Sequence, residues 1–384
     1  MSKWKYRESD DYFSYDKIRR GKDKRKKNKK AIDNFVLDED KWLVKDNWFK
    51  ARVVEVHKRY AFVSPITEDG DIVTKDVWLS TVARKHLQSK RLERNNVVVG
   101  DVVLCRPATG EEPDVSEELP YCVVENLKPR FSEISRVDPA SMERKHILAS
   151  NVDQLLIVAS FCSPLVKWGL IDRYLVLAEE QNIEPIIVLN KQDLLLEESE
   201  KFQKKAEEEI ANYRSLGYKV FSISVLGKSQ DDIEAIGESL KDKCSILSGH
   251  SGVGKSSLVN LFRPEITQEV EANADIFYKG RHTTTYASLL KLGTGGIVVD
   301  TPGIRSFLLG ERSSIDLTYS FREMRPYLGK CKYRECRHID EPDCAILEAL
   351  HDGKITSRRY QSYKGLLLGD TGRQGRTRDD ELEE

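Results

Sequence analysis

The sequence predicts a multidomain α/β protein with three folded parts: an N-terminal β-barrel, a central parallel α/β domain and a C-terminal helical metal-binding domain. Three observations carry this prediction. Short β-branched runs separated by turn residues occupy residues 48–124. Apolar strand patterns alternate with helical patterns in residues 153–300, which favours a parallel sheet covered on both faces. Three cysteines and one histidine cluster in residues 331–344.

The composition indicates a soluble protein, because 39% of the 384 residues are hydrophobic and 33% are charged, with a net charge of −1. No apolar run approaches the roughly 20 residues that a membrane-spanning helix needs, so we expect no membrane association. Seven cysteines, three of them clustered, favour a metal site in a reducing compartment over a disulfide framework. The N-terminus has no apolar signal segment and carries several acidic residues, which predicts a cytoplasmic protein.

Residues 1–46 are predicted to be a disordered basic arm. Residues 17–30 contain ten Lys/Arg and one Asp, with too little apolar surface to fold alone. Such an arm can anchor the chain electrostatically to nucleic-acid phosphates, or it can be a solvated tail that aids solubility. The polar residues 369–384 are likewise predicted to be a disordered tail.

Residues 47–128 predict an OB-type β-barrel, a fold that commonly binds single-stranded or irregular nucleic acid. The predicted strands lie at residues 51–56, 60–63, 71–73, 97–104 and 121–124. Basic residues between these strands could form a nucleic-acid-binding loop: Lys85, His86, Lys90, Arg91 and Arg94. The alternative is a barrel that only packs on its neighbour.

Residues 129–304 predict the α/β domain. They begin with a segment, residues 129–145, that has little periodicity and is predicted to be a linker. Strands are then predicted at residues 153–160, 185–189 and 219–224, and helices at residues 171–181, 197–215 and 231–241. A further short apolar strand, residues 244–247, leads into a glycine-rich segment.

That segment, G-x-x-x-x-G-K-S between a strand and a helix, is the pattern of a phosphate-binding P-loop. Glycines let the backbone approach an anion closely, and successive N–H groups then point at the phosphates. Lys255 is expected to reach the β- and γ-phosphates and Ser256 to ligate Mg²⁺. The alternative is a chance glycine-rich turn. The predicted nucleotide-binding residues here are Gly249, His250, Ser251, Gly252, Val253, Gly254, Lys255, Ser256 and Ser257.

Asn190, Lys191 and Asp193 form an N-K-x-D loop after a predicted strand. The Asp193 carboxylate can accept hydrogen bonds from both N1–H and the exocyclic amine of guanine, a donor pair that adenine lacks. Lys191 would lie over the base and Asn190 would brace the P-loop. Ser224 and Val225, after the next strand, fit a backbone contact to the guanine oxygen. An N-K-x-D turn alone is common, but beside a P-loop it predicts GTP binding.

Two segments after the P-loop predict the γ-phosphate sensors. In residues 280–285, Thr284 is the first choice and Thr283 the second for a threonine that ligates Mg²⁺. Asp300 and Gly303 belong to a D-x-x-G segment, in which Asp300 would hold Mg²⁺ through water and the Gly303 N–H would contact the phosphate. The alternative for D-T-P-G is an ordinary turn.

The order of these motifs is permuted, since N-K-x-D precedes the P-loop instead of following D-x-x-G. Strand ends that meet in space can form the same pocket after circular permutation, because domain termini usually lie close together. The D-x-x-G segment therefore leads directly into residues 305–368.

Those residues contain Cys331-x4-Cys336-x-His338-x5-Cys344, the ligand set of a closed, structural Zn²⁺ site. The alternative is a group of buried free cysteines beside a surface histidine. Flanking residues 320–325 and 345–362 are predicted to be helical, the first helix ending before Pro326. Seven basic residues make this module a candidate for RNA contact: Lys330, Lys332, Arg334, Arg337, Arg358, Arg359 and Lys364.

Over residues 48–364 the chain resembles the circularly permuted GTPases that depend on the small ribosomal subunit, the RsgA type. The resemblance rests on residues 149–154, 171–174, 190–193, 249–257, 280–285 and 300–303 together with the four metal ligands. It implies an N-terminal OB-type β-barrel, a circularly permuted P-loop GTPase domain and a C-terminal helical zinc-binding domain. It further implies GTP hydrolysis stimulated by the small subunit, rRNA binding and a role in late subunit maturation.

Ile304 stands where many GTPases carry a water-orienting glutamine, so catalytic help must come from elsewhere. The resemblance suggests His282, which would act beside Lys255 and Thr284. The expected cofactors are one structural Zn²⁺, and Mg²⁺ with GTP, and the expected state is a monomer. Two alternatives stay open: an rRNA-binding scaffold that holds GTP but barely hydrolyses it, and an ATP-using P-loop enzyme, against which Asp193 argues.

Overall fold

The computed structural model describes residues 36–57, 60–73, 76–83, 97–108, 119–138, 141–227, 230–262, 287–300 and 314–369. Most of the predicted basic arm, the predicted basic loop of the barrel and nearly all of the predicted tail lie outside these residues. None of the helices in the described ranges is long and apolar enough to span a bilayer. The domain boundaries at residues 46, 128, 304 and 368 stay predictions.

Thirteen strands occur in the described part of the chain. They are β1 Phe49–Val56, β2 Ala61–Pro65, β3 Trp78–Val82, β4 Val102–Pro107, β5 Tyr121–Leu127, β6 Glu133–Asp138, β7 Ser141–Ser150, β8 Gln154–Ser160, β9 Glu184–Asn190, β10 Lys219–Ser222, β11 Cys244–Ser248, β12 Ser288–Lys291 and β13 Ile297–Asp300.

The helices of the same described ranges are α1 Trp168–Glu180, α2 Gln192–Leu195, α3 Glu200–Ser215, α4 Gln230–Leu240, α5 Lys255–Leu261, α6 Ser314–Ser320, α7 Ala345–His351 and α8 Ser357–Leu367. Two short 3₁₀ helices span Glu39–Lys41 and Arg322–Tyr327.

The first five strands close into a barrel in the order β1-β2-β3-β5-β4, with β4 pairing back onto β1. Only β3 and β5 run parallel to each other. Val53, Val63 and Val103 are fully buried in its core. The OB-type barrel prediction is therefore confirmed. β3 was not predicted, because its polar residues obscure the pattern; Ser80 is buried and donates a hydrogen bond to the carbonyl of Ala61.

Two predicted strands of the barrel are shorter than expected. Residues 71–73 contribute only an isolated bridge between Ile66 and Ile72. The apolar run at residues 97–104 becomes a strand only from Val102, because Gly100 turns the chain with φ +95°. At that turn a Cβ would lie 2.1 Å from the carbonyl oxygen of Ser150, so the barrel backbone touches the start of the α/β domain there.

The α/β sheet has the order β10-β9-β8-β11-β13-β12. Its strands are parallel except for the last strand β12, which is antiparallel to β13. Residues 186–189 are almost completely inaccessible, as expected for a strand covered on both faces. β12 also pairs with β1 of the barrel, so one continuous sheet of eleven strands runs through both parts. The prediction of a parallel α/β domain is confirmed.

The prediction that residues 129–145 form a linker is wrong. β6 and β7 pair as an antiparallel hairpin that forms a separate two-stranded sheet. Charged residues interrupt both strands, so the sequence lacks the clear apolar alternation that identifies a half-buried strand. The base of the hairpin is fixed by buried Ile134 and by the Ser132 hydroxyl, which donates to the Val152 carbonyl at 2.7 Å.

The C-terminal part is helical as predicted, but its helix boundaries differ. The expected helix at residues 320–325 is a 3₁₀ helix that includes Pro326 instead of ending before it. The expected helix at residues 345–362 is split into α7 and α8. Gly353 has φ +72°, which ends the first helix, and Thr356 caps the second by accepting a hydrogen bond from the Arg359 N–H.

Candidate nucleotide-binding and metal sites

The predicted nucleotide-binding segments lie at one edge of the parallel sheet. The P-loop connects β11 to α5, and the N-K-x-D loop connects β9 to α2. Ser224 and Val225 follow β10, and Asp300 is the last residue of β13. Because these strands are parallel, their carboxyl ends share an edge, where ligands of open α/β sheets bind.

Two P-loop glycines are required by close backbone contacts. A Cβ on Gly249 would lie 2.0 Å from the carbonyl oxygen of Val158, on the neighbouring strand β8. Gly254 has φ +97°, and a Cβ there would lie 2.3 Å from the Asn190 side-chain nitrogen. The loop is therefore pressed against β8 on one side and against the N-K-x-D segment on the other.

The N-K-x-D loop is hydrogen-bonded directly to the P-loop. The Asn190 side chain donates to the Val253 carbonyl at 2.9 Å, and its oxygen accepts from the Val225 N–H at 3.1 Å. Lys191, in the left-handed region at φ +63°, donates to the Gly252 carbonyl at 2.9 Å and also to the Ser163 carbonyl. The structure thus brings together the segments 190–193, 224–225 and 249–256.

The charged side chains of Asp193 and Lys255 are both held by hydrogen bonds to neighbouring groups. The exposed Asp193 carboxylate accepts a hydrogen bond from the Ser224 hydroxyl. The Lys255 ammonium donates to the carbonyl oxygens of Gly249 at 2.9 Å and His250 at 2.7 Å. Both acceptors belong to the loop itself, so the ammonium is held within the P-loop.

The remaining P-loop residues differ in exposure. Ser251, Ser256 and Ser257 are exposed, while Val253 is buried and packs in the core. The exposed His250 ring nitrogen lies 2.9 Å from the Ser251 carbonyl oxygen. The predicted residues His282, Thr283, Thr284 and Gly303 and the side chain of Asp300 lie outside the part of the chain that the structure describes.

The predicted metal ligands converge on one point. The ligand atoms of Cys331, Cys336, His338 and Cys344 all lie within 4.8 Å of one another. The sulfur atoms of Cys331 and Cys344 are 3.8 Å apart, and His338 Nδ1 lies 3.5 Å and 3.3 Å from them. Tetrahedral Zn²⁺ with Zn–S bonds of about 2.3 Å separates its sulfur ligands by about 3.8 Å. The residues present therefore fit one Zn²⁺, and four protein ligands leave no open position.

Two tyrosines that hydrogen-bond to the metal-binding loop, residues 331–344, were not predicted from the sequence. The Tyr360 hydroxyl donates to the His338 carbonyl at 2.8 Å, and the Tyr363 hydroxyl donates to the Arg337 carbonyl at 3.0 Å. Both tyrosines lie on α8, whose basic residues were predicted to contact RNA but whose tyrosines had no predicted contact. His338 needs this support, since it adopts φ +61°.

The fold and the order of its motifs define a P-loop GTPase whose N-K-x-D loop precedes its P-loop. A family model described as RsgA GTPase matches residues 127–310. The chain belongs to the RsgA GTPase family, which confirms both the resemblance and, at the level of the family, the predicted GTP hydrolase.

Proteins named "Small ribosomal subunit biogenesis GTPase RsgA" are among the curated relatives. The one from Mannheimia succiniciproducens is 39% identical over 306 residues, covering 78% of this chain and 83% of the relative. The one from Actinobacillus succinogenes is 38% identical over 308 residues, covering 78% and 84%.

Solved structures agree with this family. YjeQ from Thermotoga maritima aligns with a TM-score of 0.63 and 30% identity, covering 85% of this chain and all of that one. A structure titled "YloQ, a circularly permuted GTPase" aligns with a TM-score of 0.61 and 26% identity, covering 88% of this chain and all of that one. The predicted permuted architecture is therefore confirmed.

Proposed function

We propose that this chain hydrolyses GTP to GDP and phosphate when it is bound to the small ribosomal subunit, and that it acts late in maturation of that subunit. The observation that carries the proposal is the hydrogen-bonded junction between the N-K-x-D loop and the P-loop, made by Asn190 and Lys191. It supports one pocket that spans a guanine base and a phosphate chain. The names of the curated relatives support the small subunit as partner.

Within this pocket Asp193 reads guanine by accepting from its N1–H and exocyclic amine, and the Ser224 hydroxyl orients the carboxylate. The Lys255 ammonium leaves the Gly249 and His250 carbonyls to pair with the β- and γ-phosphates. Guanine is then preferred because adenine would cover the carboxylate without offering it the two donors.

Mg²⁺ would be held by Ser256 and Thr284, and through water by Asp300, with Thr283 as the alternative threonine. The chemistry that Mg²⁺ would supply there is positive charge beside the transferred phosphoryl group. The N–H of Gly303 would report on the γ-phosphate. Catalysis consists of positioning water for in-line attack and stabilising charge, because phosphoryl transfer requires little covalent work from the protein.

Ile304 cannot orient water, so His282 is the residue proposed to assist attack once the subunit is bound. The test compares GTP turnover of wild-type protein and the His282→Ala variant at saturating small subunits. Loss of subunit stimulation with unchanged subunit binding is expected. Unchanged stimulation would remove His282 from the mechanism.

The Cys331–Cys344 cluster would hold one structural Zn²⁺ that orders the C-terminal module. The barrel and this basic module are the proposed contacts with rRNA. We further propose that the protein acts as a monomer in the cytoplasm, where the subunit is assembled.

The decisive experiment measures GTP hydrolysis with purified small subunits, large subunits and naked rRNA. We expect strong stimulation by small subunits alone. Binding to small subunits without faster turnover would instead support a GTP-binding rRNA scaffold. An Asp193→Asn variant that shifts preference from GTP to xanthosine triphosphate would support guanine reading, whereas equal use of ATP would contradict it.

A further inference from the structure

Helix α1 is buried by two different cores. Ile171, Leu175 and Ala178 recur at helical spacing and pack in the core of the α/β domain. Val176, on another face, packs in the core of the C-terminal module with Leu317 and Phe321. A helix that is apolar on opposite faces belongs inside the protein rather than on its surface. α1 is therefore a shared structural element of the two parts.

The contact of α1 with the C-terminal module is ionic as well as apolar. The Asp172 carboxylate is fully buried and accepts from Arg359 at 2.5 Å and from Arg358 at 2.6 Å. Arg359 is itself 1% exposed and also donates to Glu323 at 2.6 Å and 3.0 Å. Removing either partner while the interface stays closed would leave a buried, uncompensated charge, so these ion pairs fix the position of α8 on α1.

From α8 the same chain of contacts reaches the metal loop. Tyr360 and Tyr363 follow the two arginines and hold the carbonyls of His338 and Arg337. Helix α8 thus fixes the carbonyl groups of two consecutive residues of the metal-binding loop, and the arginines of the same helix hold Asp172. The conformation of the metal-binding loop and the position of α8 therefore depend on each other.

The opposite face of α1 reaches the P-loop. Tyr174 is buried there; burial raises the pKa of its hydroxyl, and the Ser248 side chain and the Gly249 backbone oppose that rise. Tyr174 also lines a small cavity together with Gly249 and Val253. A Cβ on Gly249 would collide with the Val158 carbonyl oxygen, so the start of the P-loop is also packed directly against β8. A displacement of α1 therefore changes the packing at the start of the P-loop.

We propose that α1 couples the metal site to the nucleotide site, with Asp172 and Tyr174 as positioning residues. This inference rests on the proposed nucleotide and zinc sites. Zinc orders the loop that seats α8, α8 fixes Asp172, and α1 then holds Gly249 in the geometry that receives phosphate. Because linkage is reciprocal, nucleotide must tighten zinc binding by the same factor by which zinc tightens nucleotide binding.

The test measures two affinities on the full chain. Affinity for a fluorescent GDP analogue is measured with and without zinc, and zinc affinity is measured by competition with a chelating indicator, with and without GDP. In the wild-type protein we expect each ligand to strengthen the other about tenfold, within the usual range of allosteric coupling. In Asp172→Asn and in Tyr174→Phe, both ligands still bind. The ratio of each ligand's affinity with and without the other ligand falls toward one.

Tyr174→Phe removes a single hydroxyl, so it keeps the test valid if Asp172→Asn folds poorly. Asp352→Asn is the matched control, because Asp352 pairs with Lys354 on the exposed surface of the same module at 2.9 Å. Its coupling should equal that of the wild-type protein. Full coupling in both α1 variants, or none in the wild type, overturns the inference. A wild-type chain that binds no guanine nucleotide instead overturns the proposed function.

Discussion

Replacing Arg359 by alanine most directly tests the buried ion pairs that connect α8 to Asp172 and Glu323. The guanidinium makes three hydrogen bonds to two carboxylates, Asp172 and Glu323, whose side chains are 0% and 5% exposed. Removing one partner of a buried ion pair costs about 3–5 kcal/mol, because the remaining charge stays desolvated. Arg358 still contacts Asp172, which keeps the expected loss within that range. Against a total stability of about 5–15 kcal/mol, this is a large fraction.

The assay is guanidinium unfolding followed by circular dichroism and by tryptophan fluorescence, since Trp168 begins α1 near Tyr213. The control is Lys332→Ala, which breaks an exposed pair with Asp343 and should cost less than about 1 kcal/mol. A loss for Arg359→Ala no larger than that of the control would refute the reasoning.

The pH dependence gives the same prediction an independent check. Burial alone would raise the pKa of Asp172, but Arg359 and Arg358 outweigh it and hold the pKa below its ordinary value. A depressed carboxyl pKa contributes stability above the unfolded value, about 3.9, and loses it as pH falls through the folded value. In Arg359→Ala the pKa of Asp172 is depressed less, so this pH-dependent contribution to stability is smaller. The difference in stability between wild type and variant should therefore shrink below about pH 4, and a constant difference would contradict the argument.

Three further predictions concern the two sites. Gly254→Ala should weaken nucleotide binding at least tenfold in a fluorescence titration, because its Cβ would displace the Asn190 side chain; Gly329→Ala, at a positive φ with open space around it, should not. Asn190→Ala should lower the free energy of unfolding by about 2 kcal/mol in denaturant titrations, since the Val225 N–H loses its partner, and a neutral result would contradict the bracing role. Removing zinc with a chelator should lower helical circular dichroism reversibly, because the metal ligand Cys344 immediately precedes α7; unchanged helicity would show that the module folds without metal.

Much of this fold could be predicted because its signals are local. The P-loop and the Cys/His spacing each specify a backbone path within a dozen or so residues, and the apolar runs at residues 154–160 and 184–190 identify buried strands. β3 and the β6–β7 hairpin were missed for the opposite reason. Their strands carry polar or charged residues, and their pairing partners, not their composition, make them strands.

The buried ion pairs between α8 and Asp172 could not be derived from residue patterns. Asp172 and Arg359 are separated by 187 positions, and each looks like an ordinary surface charge on an amphipathic helix. Only the docking of α8 on α1 makes them buried partners. The adjacent basic residues were predicted to contact RNA as a set, yet Arg358 and Arg359 point inward to carboxylates. The sequence cannot separate the basic residues that face solvent from those that hold the fold together.

The long separation of α1 from its partners also has a consequence during translation. At about 5–20 residues per second, Arg359 leaves the ribosome roughly 10–40 s after Asp172. Throughout that interval the nascent chain carries an unpaired carboxylate and the bare apolar surface of Val176. Synthesis that stops after the P-loop but before α8 therefore yields a chain in which one apolar face of α1 stays uncovered, a defect that chaperones and proteases can recognise before any nucleotide is bound.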